Sequence, residues 1–351
     1  MSIGTRTTND FRMPSETSRQ DRLWVAFPVP GYTLGDTADS AHEARSTWAA
    51  VANAAAGFEP VTVVVDPGEV DVARRYLDSE IDLLIAPLND AWIRDMGPTF
   101  VHDRDGDVAA IDWTFNGWGA PDWAGWDKDG DIARVVAERV GAPRMSSLLV
   151  NEGGAIHVDG AGTVLVTETV QLDPGRNPYA DRERVETELA RTIGAGNVIW
   201  LPRGLTRDYE DLGTRGHVDM VATIPSPGIL LLHSQDDPGH PDYAITRDLR
   251  NFLQGTRDAT GREWSIVDLP APETLRDSVG FVDYNYVNHV VVNGGVIACG
   301  FGEPVADARA RDILADAYPG RQIVTIDARP LFARGGGIHC ITQQQPAAVP
   351  A

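Results

Sequence analysis

Glu152-Gly153-Gly154-Ala155-Ile156-His157-Val158 leads through a turn at Asp159-Gly160-Ala161-Gly162 into Val164-Leu165-Val166. A polar approach, an apolar strand, a turn rich in glycine and aspartate, and a second apolar strand read as a hairpin. The form recurs three times. Asp95–Val101 turns at Asp103–Gly106 into Val108–Ile111, His217–Ile224 turns at Pro225–Gly228 into Ile229–Leu232, and Tyr286–Val292 turns at Asn293–Gly295 into Val296–Ala298. Arg334-Gly335-Gly336-Gly337-Ile338-His339-Cys340-Ile341-Thr342 opens like a fifth copy. The copies lie about 50–75 residues apart, looser than a strict repeat, and predict a pseudo-symmetric array of sheet-plus-helix modules. The expected architecture is α/β, one domain over residues 1–351, with residues 1–10 as a flexible tail.

Between the hairpins lie helical and further strand signals. Ser40-x-x-Glu43 has the form of a capping box, with a helix interior over Ala44–Ala56 closed by Gly57. Further helices are expected over 69–78, 131–140, 181–193, 242–254 and 305–317. Short β-branched runs predict strands at Leu23–Phe27, Val61–Val65, Ile81–Ile85, Val198–Leu201, Trp264–Leu269 and Gln322–Ile326.

The chain of 351 residues is 42% hydrophobic, ordinary for a soluble globular protein. A net charge of −21 argues against nucleic acid as a partner. It agrees with a cationic ligand, although an acidic surface serves solubility equally well. The longest aliphatic run, Ile229–Leu232, is too short to cross a bilayer, so no membrane partner is expected. The first ten residues lack the apolar centre of a secretory signal, which makes a cytoplasmic location the expectation. Lys128, the only lysine, lies in an acidic stretch and is the sole candidate for Schiff-base chemistry.

Of the two cysteines, Cys299 sits in the apolar run Gly295–Cys299 and reads as core. Cys340 follows three glycines, which let a backbone turn sharply and approach a ligand. A thiol placed for packing alone needs neither these glycines nor the amides of Gln343, Gln344 and Gln345 that follow. A disulfide between the two stays open, but one pair is a poor framework for a chain this long.

Asp95, Glu152, His217 with Asp219, and Cys340 all fall at or near the start of a module's first strand. If equivalent strand ends face one axis, these scattered residues converge. A thiol with a histidine is a nucleophile–base pair. His217 and Asp219, two residues apart, are expected on one face of a strand. His339 is expected on the face opposite Cys340 and is the poorer proton shuttle. Three carboxylates exceed what a protease-type dyad uses, but suit a planar delocalised cation: a guanidinium offers five N–H donors that carboxylates grip in pairs.

Met13-Pro14-Ser15-Glu16, Trp92-Ile93-Arg94-Asp95-Met96-Gly97-Pro98, Trp113–Gly119, Asn151–Gly160, Arg176-Asn177-Pro178, Gly216–Asp219 and Gly336–Pro346 together resemble the agmatine deiminase family of the guanidine-modifying superfamily. The resemblance runs over residues 11–347 and implies a five-bladed α/β propeller, the pentein fold. It implies Cys340 as the nucleophile on the guanidinium carbon and His217 as the general acid/base. Asp95 and Asp219 are implied as guanidinium clamps, and Glu152 as the carboxylate that binds a substrate nitrogen and supports His217. Trp92 and the backbone at Gly336 and Gly337 are expected against the substrate. The implied reaction is hydrolysis of a small cationic guanidino compound through a covalent thiouronium. Agmatine would give N-carbamoylputrescine and ammonia, with no cofactor and no metal. The oligomeric state stays open, a homo-oligomer included.

The stretch after Trp24 lacks the family's usual Asp-Asn-Trp pattern, and three single positions also depart from the family. Gly337 stands where asparagine is usual, Met220 follows Asp219 in place of asparagine, and Gly213 replaces the acid associated with the substrate's distal amine. Glu210 and Asp211 are the nearby substitutes for that acid. Other readings are a different guanidino substrate, amidino transfer to an amine, or a non-catalytic guanidine-binding protein. Asp127-x-Asp129-x-Asp131 with Glu138 imitates a calcium loop, but Ile132 occupies the position that needs glycine; acids at a helix start are the simpler reading. Asp95 could instead form a structural ion pair with Arg94, and His217 could be a satisfied core histidine.

Overall fold

Strands β1 (Phe11–Arg12) and β2 (Gln20–Ala26) begin the computed structural model, which describes residues 11–349; the expected tail at residues 1–10 lies outside the described residues. Helix α1 (Ala38–Ala56), β3 (Val61–Val65), the short α2 (Val70–Ala73) and β4 (Asp82–Ile85) follow. Next come α3 (Ile93–Met96), β5 (Thr99–Asp103), β6 (Val108–Thr114), α4 (Ile132–Val140) and β7 (Arg144–Val150). They lead to β8 (Ile156–Val158), β9 (Thr163–Thr167), α5 (Glu168–Gln171), α6 (Arg182–Ile193) and β10 (Asn197–Leu201). Then come β11 (Ala222–Ser226), β12 (Ile229–Ser234), α7 (Asp242–Gln254) and β13 (Ser265–Pro270). The last stretch holds β14 (Val290–Val292), β15 (Gly295–Gly300), α8 (Pro304–Ala317), β16 (Gln322–Asp327), α9 (Arg329–Phe332) and β17 (Thr342–Pro346).

Among the described residues these strands make five small open sheets with one shared plan. An antiparallel hairpin is joined through a helix to a third, parallel strand: β5-β6-β7, β8-β9-β10, β11-β12-β13 and β14-β15-β16. The fifth sheet takes its hairpin strands from the two ends of the chain. β17 pairs antiparallel with β2, Gln343 opposite Trp24, and β2 runs parallel to β3 through α1. Strands β3, β9, β14 and β15 are buried at every residue, as strands covered on both faces must be.

The crossover helices are set by their ends. Asp181 accepts the main-chain N–H of Arg184 at the start of α6, Pro304 opens α8, and Gly141 and Gly194 close α4 and α6 in the left-handed conformation. Ser40 is not the cap of α1: Thr37 accepts the Ser40 N–H and starts the helix three residues earlier. Ser40 and Glu43 instead receive the Arg334 guanidinium at 3.1 and 3.0 Å, tying α1 to the glycine loop before Cys340. The helix expected over 69–78 stops at Ala73, where the chain tightens into three-residue turns, Arg75 N to Val72 O and Tyr76 N to Ala73 O. Strand β7 has no apolar alternation to announce it, because it buries Ser147 and leaves Leu148 93% exposed. No helix among the described residues is long and apolar enough to cross a membrane.

Candidate active site

The reactive residues precede the strands rather than lie in them. Asp95 is in the short helix α3, Glu152 lies before the turn at Gly153–Ala155, and His217 and Asp219 flank and enter the turn at Val218–Met220. Cys340 lies two residues before β17. The pairing of His217 with Asp219 therefore comes from a tight turn, not from strand alternation, and their side chains meet different partners. The hairpins bring these turns together, and Asp95, Glu152, His217, Asp219 and Cys340 are all buried in one cluster.

Within it Cys340 Sγ lies 3.6 Å from Asp219 Oδ2. His217 Nε2 is 3.3 Å from Glu152 Oε2, and His217 Nδ1 is 3.9 Å from Asp95 Oδ2. Trp118 Nε1 and the Gly154 main-chain N–H hold the two Asp95 oxygens at 2.8 and 2.9 Å. Glycine is required at 154: a Cβ there would stand 2.5 Å from His217 Nδ1 and 3.0 Å from Asp95 Oδ1. Asp219 Oδ2 receives His339 Nδ1 at 2.8 Å, while Asp219 Oδ1 is buried without a hydrogen-bond partner among the described residues. That oxygen is an acceptor waiting for a donor, because an unpaired buried carboxylate oxygen is costly.

A small chamber above the thiol is lined by Tyr32, Trp92, Asp95, Trp118, Trp123 and Leu212, with Cys340 only 6% exposed. Trp92 donates to Tyr32 Oη at 2.6 Å and to Asp90 at 3.2 Å, so its ring forms a fixed wall. Gly336 packs between that ring and the thiol; a Cβ there would lie 2.7 Å from Trp92 and 3.1 Å from Sγ. At Gly337 the space is filled by the Asn288 carboxamide, whose Oδ1 would be 2.5 Å from an added Cβ. Among the described residues, the non-glycine positions with left-handed backbone are Trp118, Ala120, Leu212 and Arg215, all in the two segments beside this chamber. Glu210 and Asp211 are exposed and do not line it. A larger surface groove lies elsewhere, between Leu148 and α6, and contains none of Cys340, His217 or Asp95.

Burial opposes the charge on His217, but Asp95, Glu152 and Asp219 outweigh it and lift its pKa to about 9. Burial pushes the Cys340 thiol well up, and Asp219 and Asp95 push it further. Burial also raises Asp95, with Glu152 and Asp219 adding to it against His217. Glu152 and Asp219 go the other way: burial raises both, but Arg176 with His217, and His339 with His217, hold them below the usual carboxylate range. The resting site thus carries a thiol, an imidazolium and clustered carboxylates, an arrangement suited to a cationic electrophile.

Three residues given no role from sequence complete the cluster. Asn288 Nδ2 lies 3.3 Å from Cys340 Sγ, and Asn288 Oδ1 accepts the His339 N–H at 2.9 Å. Its place was legible: it stands two residues before β14, as Cys340 stands before β17. Arg176 donates through Nε to both Glu152 oxygens at 2.8 and 3.1 Å. Asp208 accepts the His217 main-chain N–H at 2.9 Å and shapes the 208–216 loop, where a Cβ at Gly213 would lie 2.2 Å from its carbonyl oxygen. Arg94 pairs with Glu16 at 3.6 Å, not with Asp95. The two cysteines are free thiols, and Cys299 Sγ faces the Asn288 carbonyl at 3.1 Å. The calcium-like acids are engaged otherwise: Asp129 accepts the Asn89 main-chain N–H at 2.7 Å and Asp131 pairs with Arg134 at 3.2 Å.

A family model for the Porphyromonas-type peptidyl-arginine deiminases matches residues 12–346. The chain belongs to that family. A Streptomyces coelicolor relative is 52% identical over 337 residues, 96% of this chain and 99% of its own. The agmatine deiminase of Pseudomonas putida is 40% identical over 370 residues, covering 98% of each chain. Among solved structures, the agmatine deiminase of Enterococcus faecalis superposes with a TM-score of 0.90 at 32% identity, covering 97% of each chain. These matches span 96–98% of the chain, so the cluster sits within the α/β fold they share.

Proposed function

We propose that the chain hydrolyses agmatine to N-carbamoylputrescine and ammonia through a covalent intermediate on Cys340. The observation that carries this reading is a buried thiol 3.6 Å from a carboxylate whose other oxygen has no partner. A guanidinium supplies both the missing donors and an electrophilic carbon. Asp219 Oδ1 and Asp95 grip its N–H groups and hold the carbon over Sγ. Entry of the cation offsets the carboxylate field and favours the thiolate, and the thiol proton passes to solvent as the pair forms. Sulfur attacks, and an S–C bond forms. His217, cationic at rest, gives its proton to the departing nitrogen, the C–N bond breaks, and ammonia leaves an S-alkylthiouronium. Neutral His217 then takes a proton from water as it adds to the same carbon. The S–C bond breaks, the sulfur leaves as thiolate, and the added hydroxyl gives its proton to solvent as the ureido carbonyl forms. Glu152, fixed by Arg176, supports His217 through the bond at 3.3 Å and offers the same edge to a guanidinium nitrogen.

Leu212 lines the chamber where the exposed Glu210 and Asp211 do not reach, so the distal ammonium meets aromatic and aliphatic walls rather than an acid. Agmatine is then turned over with less discrimination against analogues lacking the amine than the family pattern implies. A panel of guanidino compounds assayed for ammonia and ureido product tests the function: release from agmatine supports it, and turnover of another guanidino compound alone would reassign the substrate.

We also read the five sheets as the blades of a propeller around the site, in a single domain. The common strand plan and the arrival of a site side chain from each hairpin support this. In an experimental structure the sheets should superpose by rotation about one axis; relation by translation would contradict it.

A further inference from the structure

Behind Asp219 lies a second buried set, Glu16, His157 and His339, each offering one polar atom within 4.8 Å of the others'. A carboxylate with two imidazoles resembles a metal centre, but the hydrogen bonds argue against one. His157 Nε2 accepts the main-chain N–H of Ile224 at 2.9 Å, so the ring's proton is on Nδ1, the nitrogen 3.8 Å from Glu16. That leaves no lone pair there for a cation. Arg94, 3.6 Å from Glu16, already supplies a positive charge.

His339 is the informative member. Its Nε2 lies 2.8 Å from Glu16 Oε1 and its Nδ1 lies 2.8 Å from Asp219 Oδ2. Ionised carboxylates only accept, so both ring nitrogens must donate, and the ring is an imidazolium. We propose that Glu16 is a positioning residue for Asp219, acting through His339, which it keeps as a doubly protonated bridge. The bridge occupies Asp219 Oδ2, fixes the carboxylate plane and leaves Oδ1 for the substrate cation. The groups facing His339 agree: burial and Arg94 oppose its charge, and Glu16 and Asp219 outweigh them, with neutral His157 tilted beside it. Without Glu16, His339 can lose a proton in the ordinary histidine range. The neutral ring can then carry its one proton on Nε2 and turn the Nδ1 lone pair against Asp219, releasing the carboxylate.

The assignment of Asp219 as a clamp rests on the proposed function; the protonation of His339 does not, and the test separates them. In the resting full-length protein, the ¹⁵N spectrum of labelled histidines should show His339 protonated on both nitrogens at about pH 8, and Glu16→Gln should make it neutral there. With agmatine, folded Glu16→Gln should raise KM about tenfold with a smaller change in kcat. Its kcat/KM should also show an alkaline loss near about pH 7 that the wild type lacks and Glu16→Asp partly removes. A neutral His339 in the wild type overturns the proposal even where Glu16→Gln does not fold. So does an unchanged KM and pH profile in folded Glu16→Gln. Absence of agmatine turnover in the wild type would sink the functional reading and leave the spectrum to judge the bridge.

Discussion

His339 is clasped by Asp219 and Glu16 at 2.8 Å on both nitrogens, whereas His217 touches Glu152 at 3.3 Å and stands 3.9 Å from Asp95. Both rings are buried among carboxylates, and both are pushed toward the cation. Contacts at 2.8 Å are the charge-assisted bonds that commit a proton; 3.9 Å is outside hydrogen-bond range. A histidine closed on both sides is a fixed charge, while one with slack toward the chamber can give and take a proton. The same residue type thus serves as scaffold on one side of Asp219 and as shuttle on the other.

The largest effect should fall on the loose histidine. His217→Asn should lower kcat about a hundred- to ten-thousandfold in an ammonia-release assay. A loss smaller than that from His339→Asn would exchange the two roles.

Next come the carboxylates between them. Asp95→Asn and Asp219→Asn should each reduce kcat/KM about a hundredfold or more, since each removes a charged acceptor for a permanent cation. The same variants should speed alkylation of Cys340 by iodoacetamide at neutral pH, because Asp219 and Asp95 add to the burial that holds the thiol up. Slower alkylation in both variants would break the electrostatic argument.

Stability should follow pH through both kinds of histidine. His217 titrates at about 9 in the fold against 6.5 ordinarily, so its stabilising share is complete below 6.5 and disappears as pH rises through about 9. His157 and His289, buried with pKa values of about 4, remain neutral when the unfolded chain takes up protons, so stability also falls below 6.5. Thermal melts should decline on both sides, and His217→Asn should flatten only the alkaline decline. An unaltered alkaline slope would show that His217 is not held as a cation.

The smallest effect concerns the distal amine. The preference for agmatine over a neutral alkylguanidine of equal length should stay below about a thousandfold in kcat/KM, because one charge-assisted contact is worth only about ten- to a hundredfold. A greater preference would mean that an acid reaches the chamber after all.

The hairpins were legible because short β-branched strands and their Gly, Asp and Pro turns are local signals. The closure of the fifth sheet was not, since pairing of Gln343 with Trp24 joins the chain's ends and depends on packing alone. Cys340, His217 and the three acids stood out by chemical type at recurring positions. Asn288 shares such a position, and Arg176 and Glu16 lie in motifs of the resemblance, but their roles were not legible, because an amide or an ion pair looks ordinary until its partner is seen. The glutamines after Cys340 taught the reverse. Gln343 receives Arg94 at 2.8 Å and donates to the Pro98 carbonyl at 2.9 Å, and Gln345 receives Trp24 at 3.1 Å, so both anchor the strand and neither faces the chamber.

The most direct measurement is intact-mass analysis of protein quenched during agmatine turnover, followed by peptide mapping. The account predicts an adduct with the mass of agmatine less ammonia, located on Cys340, absent in Cys340→Ala and retained in Cys299→Ala. An adduct on Cys299, or full turnover by Cys340→Ala, would contradict it.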